Sequence, residues 1–203
     1  MPKAHEQSYS SNTGAFSRWG MGWQMIIGLS GKAGAGKDTV ANILVEHYGY
    51  RRVAFADKIR ECLFALDPIV TARAEYPLHL SEYFDDFGWE RTKQLPEVRR
   101  LMQTFGTEVG RNLIDANLWI ELALGDVEPD HKVVVTDVRF PDEADNIKWL
   151  FGEVWRVERK VAPINNHISE TALDEWVFDR VIDNSGTIYD LEVTLEMLMG
   201  AIK

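Results

Sequence analysis

The sequence predicts an α/β domain with three layers, a parallel sheet covered by helices on both faces. Two observations carry this. MIIGLS (Met25–Ser30) and KVVVTDVRF (Lys132–Phe140) are apolar runs too continuous for half-exposed strands, as in the buried strands of parallel sheets. Between and after such runs, apolar residues recur at helical spacing, so strand alternates with helix. At 203 residues, 45% hydrophobic and 27% charged, the chain suits one domain, with or without an insertion, and can build a substantial core.

Residues 1–22 are polar, Ser-rich and aperiodic and read as a flexible extension, leaving 23–203 as the domain. After the first strand, Thr39, Val40, Ile43, Leu44 and Tyr48 share a helix face, and Gly49 supplies the stop. RRVAFA (Arg51–Ala56) reads as a second strand and DKIRECLFAL as a helix with Asp57 at its N-cap. The stretch from Asp67 to Pro96 has little periodicity and is read as an irregular insertion or mobile lid. Pro96 then opens a helix through Gly110, with Leu101, Met102, Phe105 and Val109 on one side, and another helix spans Ala116–Leu124. PDEADNIKWLFG reads as a helix ending at Gly152, EVWRVERK as a strand, and FDRVIDNSG as the end of the last strand. Ile188, Leu191, Leu195, Leu198 and Ile202 stripe the closing helix.

Composition narrows the function classes. A net charge of −10 without an extended basic run argues against a nucleic-acid wrapper, but leaves room for small anions in a local cationic pocket. No run approaches the roughly 18 apolar residues of a membrane helix, and the N-terminus has no apolar signal core, so neither a membrane nor export is expected. Cys62 stands alone, in keeping with a reducing cytoplasm.

The chemistry is concentrated in GLSGKAGAGKDTV (Gly28–Val40). Gly31, Gly36 and Lys37 have the G-x-x-x-x-G-K spacing of a phosphate-binding loop, and they lie where a strand gives way to a helix. Glycines at 31, 34 and 36 let backbone N–H groups converge on phosphate oxygens, and the helix start adds a positive end. The spacing alone would arise by chance in roughly one chain in fifteen of this length; a glycine-rich turn with a solvent-facing lysine is the alternative. Asp38 stands where a hydroxyl usually follows the lysine, with Thr39 next.

That departure points somewhere. The chain resembles the bacteriophage deoxynucleoside monophosphate kinases through SGKAGAGKDTVA (Ser30–Ala41), RRLMQTFGTEVG (Arg99–Gly110) with Trp119 downstream, TDVRFPDE (Thr136–Glu143), and HISETAL (His167–Leu173) leading to VIDNSGTIYDLE (Val181–Glu192). An aspartate after the lysine belongs to that family's pattern. The resemblance implies a P-loop kinase fold with a helical lid, ATP and Mg2+ as cofactors, and a small deoxynucleoside monophosphate as partner, in the cytoplasm, the host's if the chain is phage-encoded. A homodimer is compatible with it.

The resemblance also implies roles. Gly31, Ala33, Gly34, Ala35, Gly36, Lys37, Asp38 and Thr39 would hold the ATP phosphates, while Asn184, Ser185 and Gly186 would border the adenine. Asp38, Thr39 and Asp137 would serve magnesium, through water. Arg139, two residues past Asp137 and so on the same side of the strand, would clamp the acceptor phosphate, with Glu143 orienting its guanidinium. Capping a helix is the alternative for Asp137, and an exposed first-turn position the alternative for Glu143. Lys58 and one of Arg99 and Arg100 would add positive charge for the acceptor. Gly106 and Thr107 would open the backbone to it, and Trp119 would stack on its base unless it belongs to the core. Arg159 resembles a lid arginine, and His167 and Glu170 would order that lid. Dephospho-coenzyme A and phosphomevalonate kinases use similar cradles, and a non-catalytic nucleotide switch is the alternative of another class.

Overall fold

A computed structural model describes residues 26–71, 76–125, 127, 131–160 and 171–201. The proposed extension and its boundary at residue 22, together with His167 and Glu170, lie outside these.

Five strands form one parallel sheet: β1 (Ile26–Ser30), β2 (Arg51–Val53), β5 (Val133–Val135), β6 (Glu153–Glu158) and β7 (Arg180–Asp183), in the order β2-β5-β1-β6-β7. Strand alternation divides their side chains between two cores. Ile26, Val133, Val135 and Val154 face one layer, built from α2 (Phe55–Leu66), α5 (Leu118–Leu124) and α6 (Pro141–Trp149). Ile27, Leu29, Val134, Trp155 and Val157 face the other, built from α1 (Lys37–Tyr48) and α7 (Ile188–Ala201). The three-layer α/β/α expectation therefore holds. Gly28 lets α6 lie close: a Cβ there would come within 2.6 Å of Ile147 Cδ1.

All five strands end on one edge of the sheet. The helix after β1 runs towards β2 on one face and the helix after β5 runs towards β6 on the other, so the chain reverses direction about β1. In open parallel sheets the crevice beyond the strand ends at such a reversal is where ligands bind.

Three expectations need correction. The second strand stops at Val53, not Ala56, because α2 begins at Phe55; its N-cap is Ala54, not Asp57. The stretch 67–96 is not irregular. It contains an antiparallel pair, β3 (Ile69–Thr71) with β4 (Leu78–His79), followed by α3 (Leu80–Thr92), which bends at Gly88, where φ is 70°. Leu63, Val70, Leu80 and Val98 give this region a small core of its own. The helix opened by Pro96 is α only to Gln103 (α4); Thr104–Ile114 continues as a π-helical run. Gly106 and Gly110 lie buried in that run, at close approach to Ile59 and Trp119.

Candidate active site

The loop after β1 has the geometry of a cradle. Gly31, Gly34 and Gly36 have φ of 143°, 77° and 98°, values that side-chain-bearing residues rarely adopt. At Gly31 a Cβ would also meet Val157 O at 2.3 Å, so the loop is pressed against β6. Gly36 caps α1, and the Lys37 ammonium folds over the loop, donating to the carbonyls of Gly31 at 2.5 Å and Lys32 at 3.1 Å. Ala35 is held from the far side: its carbonyl accepts from Asn184 Nδ2 at 2.9 Å.

Asn184 thus braces the cradle. It is 9% exposed, its side chain is committed to Ala35, and its own N–H donates to Glu158 O at 2.7 Å. Ser185 and Gly186, one and two residues on and expected with it to border the adenine, are exposed. Asp38 is turned towards β2, where its carboxylate accepts from Arg52 at 2.7 Å. Both partners are half-exposed or more, so the pair adds little to stability, but it sets a cation against the carboxylate that follows the lysine. Thr39 is exposed one residue on.

Beyond β5, which pairs with β1, lies the second half of the site. The Asp137 carboxylate accepts from the N–H groups of Phe55 at 2.9 Å and Ala56 at 2.8 Å. It caps α2, whose own N-cap, an alanine, has no side chain for the task. Burial holds its pKa above the ordinary carboxylate value, opposed by those two N–H groups and the charge of Arg139, while Asp57 pushes it further up.

Glu143 is 5% exposed, and burial pushes its pKa up to about 7, with Asp137 adding to the rise and Arg111 and two backbone N–H groups opposing it. Its Oε2 accepts from the backbone N–H of Arg139 at 2.7 Å and of Phe140 at 3.0 Å, capping α6. Its Oε1 accepts from Arg111 at 3.2 Å. Glu143 therefore holds the backbone of Arg139 with one oxygen and the Arg111 guanidinium with the other. The Arg139 residue itself is exposed at the sheet edge.

The remaining candidates divide. Lys58 lies three residues past the start of α2, with its ammonium 3.1 Å from Glu61. Arg159 is exposed directly after β6, on the same edge. Arg100 pairs with Glu97 at 2.6 Å, and Arg99 donates to Lys93 O at 3.3 Å; both are exposed on α4. Trp119 belongs to the core: it is 3% exposed, donates from Nε1 to Gly106 O at 2.8 Å, and lies flat against Gly110. Gly106 and Thr107 accordingly form no break; Gly106 is buried and a Cβ there would meet Ile59 Cδ1 at 2.8 Å.

Two residues of this region escaped sequence reading, Arg52 and Arg111. Nothing local marks either, since their acidic partners lie 14 and 31 or 32 residues away. Among the described residues no group of three or more Asp, Glu, His or Cys could hold a metal ion, and none of their helices is long and apolar enough to cross a membrane.

Comparison with known proteins gives the chain's family. A family model described as deoxynucleotide monophosphate kinase matches residues 94–195. A protein of Acanthamoeba polyphaga mimivirus, provisionally named as a deoxynucleotide monophosphate kinase, is 30% identical over 187 residues, covering 81% of this chain and 90% of its own. The deoxynucleoside-5′-monophosphate kinase of Escherichia phage T5 is 24% identical over 73% of this chain and 85% of its own. That of Enterobacteria phage T4, named a deoxynucleotide monophosphate kinase, is 23% identical over 82% and 95%. A cradle closed by its lysine, facing a strand end that carries Asp137 and Arg139, thus occurs in a chain that belongs to the deoxynucleotide monophosphate kinase family.

Proposed function

We propose that the protein transfers the terminal phosphoryl group of ATP to a deoxynucleoside 5′-monophosphate, yielding the diphosphate and ADP. The observation that carries this reading is the pairing of β1 with β5, which sets the glycine cradle beside the Asp137–Phe140 turn in a chain of this family.

The two reactants repel each other, so the protein's task is to supply cations and hold both in line. N–H groups of Gly31 to Thr39 and the Lys37 ammonium take the donor's phosphates, with the start of α1 adding its positive end. Arg139 and Lys58 draw in the acceptor phosphate, helped by Arg99 or Arg100, and Arg159 approaches the group in transit. Lys58 and Arg139 keep a fixed relation because the Asp137 carboxylate ties their two elements together. An acceptor phosphate oxygen attacks the γ-phosphorus. The new P–O bond forms as the bond to the bridging oxygen breaks, and the charge of that bond passes to ADP. The attacking oxygen is already anionic near neutral pH, so no side chain need remove a proton.

Magnesium, carried in by ATP, would neutralise part of the phosphate charge. Asp38 and Asp137 are both engaged, with Arg52 and with α2, so they would reach the ion through water, alongside the Thr39 hydroxyl. The reaction would take place in the cytoplasm, the host's for a viral chain. Family membership stands against a coenzyme or mevalonate intermediate as acceptor, and no feature of the site favours a switch.

The test is to incubate the full chain with Mg-ATP and each of the four common dNMPs and to measure ADP and diphosphate formation. Turnover stimulated by at least one dNMP is expected. ATP hydrolysis indifferent to all four would overturn the reading.

A further inference from the structure

Arg111 has no part in the roles above, yet its side chain is heavily committed. Its side chain is 13% exposed, although it lies in the last turn of a π-helical run whose final residues, 112–114, face solvent. One terminal nitrogen donates to both carboxylate oxygens of Asp142, at 2.6 and 2.5 Å, and the other donates to Glu143 Oε1 at 3.2 Å. The guanidinium also covers the Phe140 ring, 4.1 Å from its centroid. All three partners lie in the turn that follows Arg139.

The connection continues through Glu143. Its second oxygen accepts the N–H groups of Arg139 and Phe140, so a path of two contacts joins the Arg111 guanidinium to the backbone of Arg139. Without Arg111, Glu143 would be a buried carboxylate facing the negative charge of Asp137 and deprived of the Arg111 cation; it would then swing out or take up a proton, and in either case hold the turn less firmly. The planar fork matters, since it reaches two carboxylates and stacks on a ring at once, which an ammonium cannot do.

We infer that Arg111 is a positioning residue for the acceptor: by fixing Glu143 it holds the Arg139 backbone, and with it the direction of the Arg139 side chain. This rests on the reading that Arg139 meets the acceptor phosphate. A staple that merely joined the π-helical run to α6 would lower stability and disturb both substrates alike. A positioning residue separates them.

The experiment uses the full chain and three variants, Arg111→Ala, Arg111→Lys and Asp142→Asn. It measures KM for dNMP and for ATP, kcat, thermal stability, and amide hydrogen exchange at Arg139 and Phe140. Arg111→Lys keeps a cation in place if Arg111→Ala proves too unstable to assay. In Arg111→Lys, KM for dNMP is expected to rise about tenfold, the size of one loosened charge-assisted contact, while KM for ATP stays within about twofold. The Arg139 and Phe140 amides should exchange faster while the interior of α6 stays protected. Asp142→Asn should change both readouts in the same direction and by less. Equal shifts in the two KM values, or unchanged exchange at both amides in the Arg111 variants, would overturn the inference. A wild-type chain without dNMP turnover would sink the kinase reading and the acceptor half of this one; the amide readout would still decide whether Arg111 orders the Arg139 backbone.

Discussion

The carboxylate of Asp137, just past the end of β5, accepts the N–H of Ala56, 81 residues earlier in the chain, at 2.8 Å and so caps α2. The same carboxylate takes the N–H of Phe55, so removing it leaves two donors of a helix terminus without their partner. Asp137→Ala should destabilise the fold by about 1–3 kcal/mol. It should also lower dNMP turnover, because Lys58 and Arg139 lose their common anchor. Asp137→Asn keeps an acceptor and should fall between the two. Urea unfolding of the three proteins checks the order, and an alanine variant as stable as the wild type would contradict the cap.

The cradle can be tested at its brace. A Cβ on Gly36 would lie 2.1 Å from Asn184 Nδ2, in a backbone conformation that already disfavours one. Gly36→Ala should therefore break the Asn184–Ala35 hydrogen bond and weaken ATP binding by an order of magnitude or more. Asn184→Ala removes the same bond without the clash and should weaken ATP binding less, by about 1 kcal/mol. Calorimetric titration with ATP distinguishes them, and unaltered affinity in both would remove the brace from the account.

Lys37 and Arg139 should fail differently. Lys37→Ala should cost orders of magnitude in turnover with the fold intact, since the ammonium donates to the loop carbonyls of Gly31 and Lys32 at the start of α1. Arg139→Ala should raise KM for dNMP while leaving ATP binding nearly unchanged. Steady-state kinetics with each substrate varied, together with circular dichroism, checks both. Equal acceptor kinetics in Arg139→Ala would remove the clamp.

Glu143 makes stability depend on pH. Its folded pKa, about 7, lies above the ordinary glutamate value of 4.5, so the folded chain holds this proton more tightly than the unfolded one. The contribution is fully present below about 4.5 and is lost as pH rises through 7, with a span on the order of 3 kcal/mol. Glu143→Gln, which cannot ionise, should flatten that decline. Melting temperatures of both proteins from pH 4.5 to 8 are the check, and parallel curves would refute it.

What the sequence made legible was local. The cradle rests on glycines two to five residues apart whose positive φ the structure shows, and the sheet rests on runs such as Val133–Val135 that are buried throughout. What it hid depends on distance. Asp137 takes up the N–H groups of Phe55 and Ala56, which ends β2 early and moves the start of α2, and no pattern within RRVAFADKI announces a partner about 80 residues on. Arg111 and Arg52 are hidden in the same way. LSEYFDDFGWERT resists reading as a helix because Gly88 bends it and its apolar residues serve two segments. Trp119 shows a further limit: a tryptophan that seats itself on Gly110 and one that stacks on a base look alike until Gly110 is placed beneath it.

The most direct measurement follows the phosphorus itself: the full chain is mixed with Mg-ATP labelled at the γ-phosphate and an unlabelled deoxynucleoside monophosphate, and the products are separated. The account predicts label at the β-position of the deoxynucleoside diphosphate, formed in step with ADP and abolished by Lys37→Ala. Label released only as inorganic phosphate, at a rate the acceptor does not change, would contradict it.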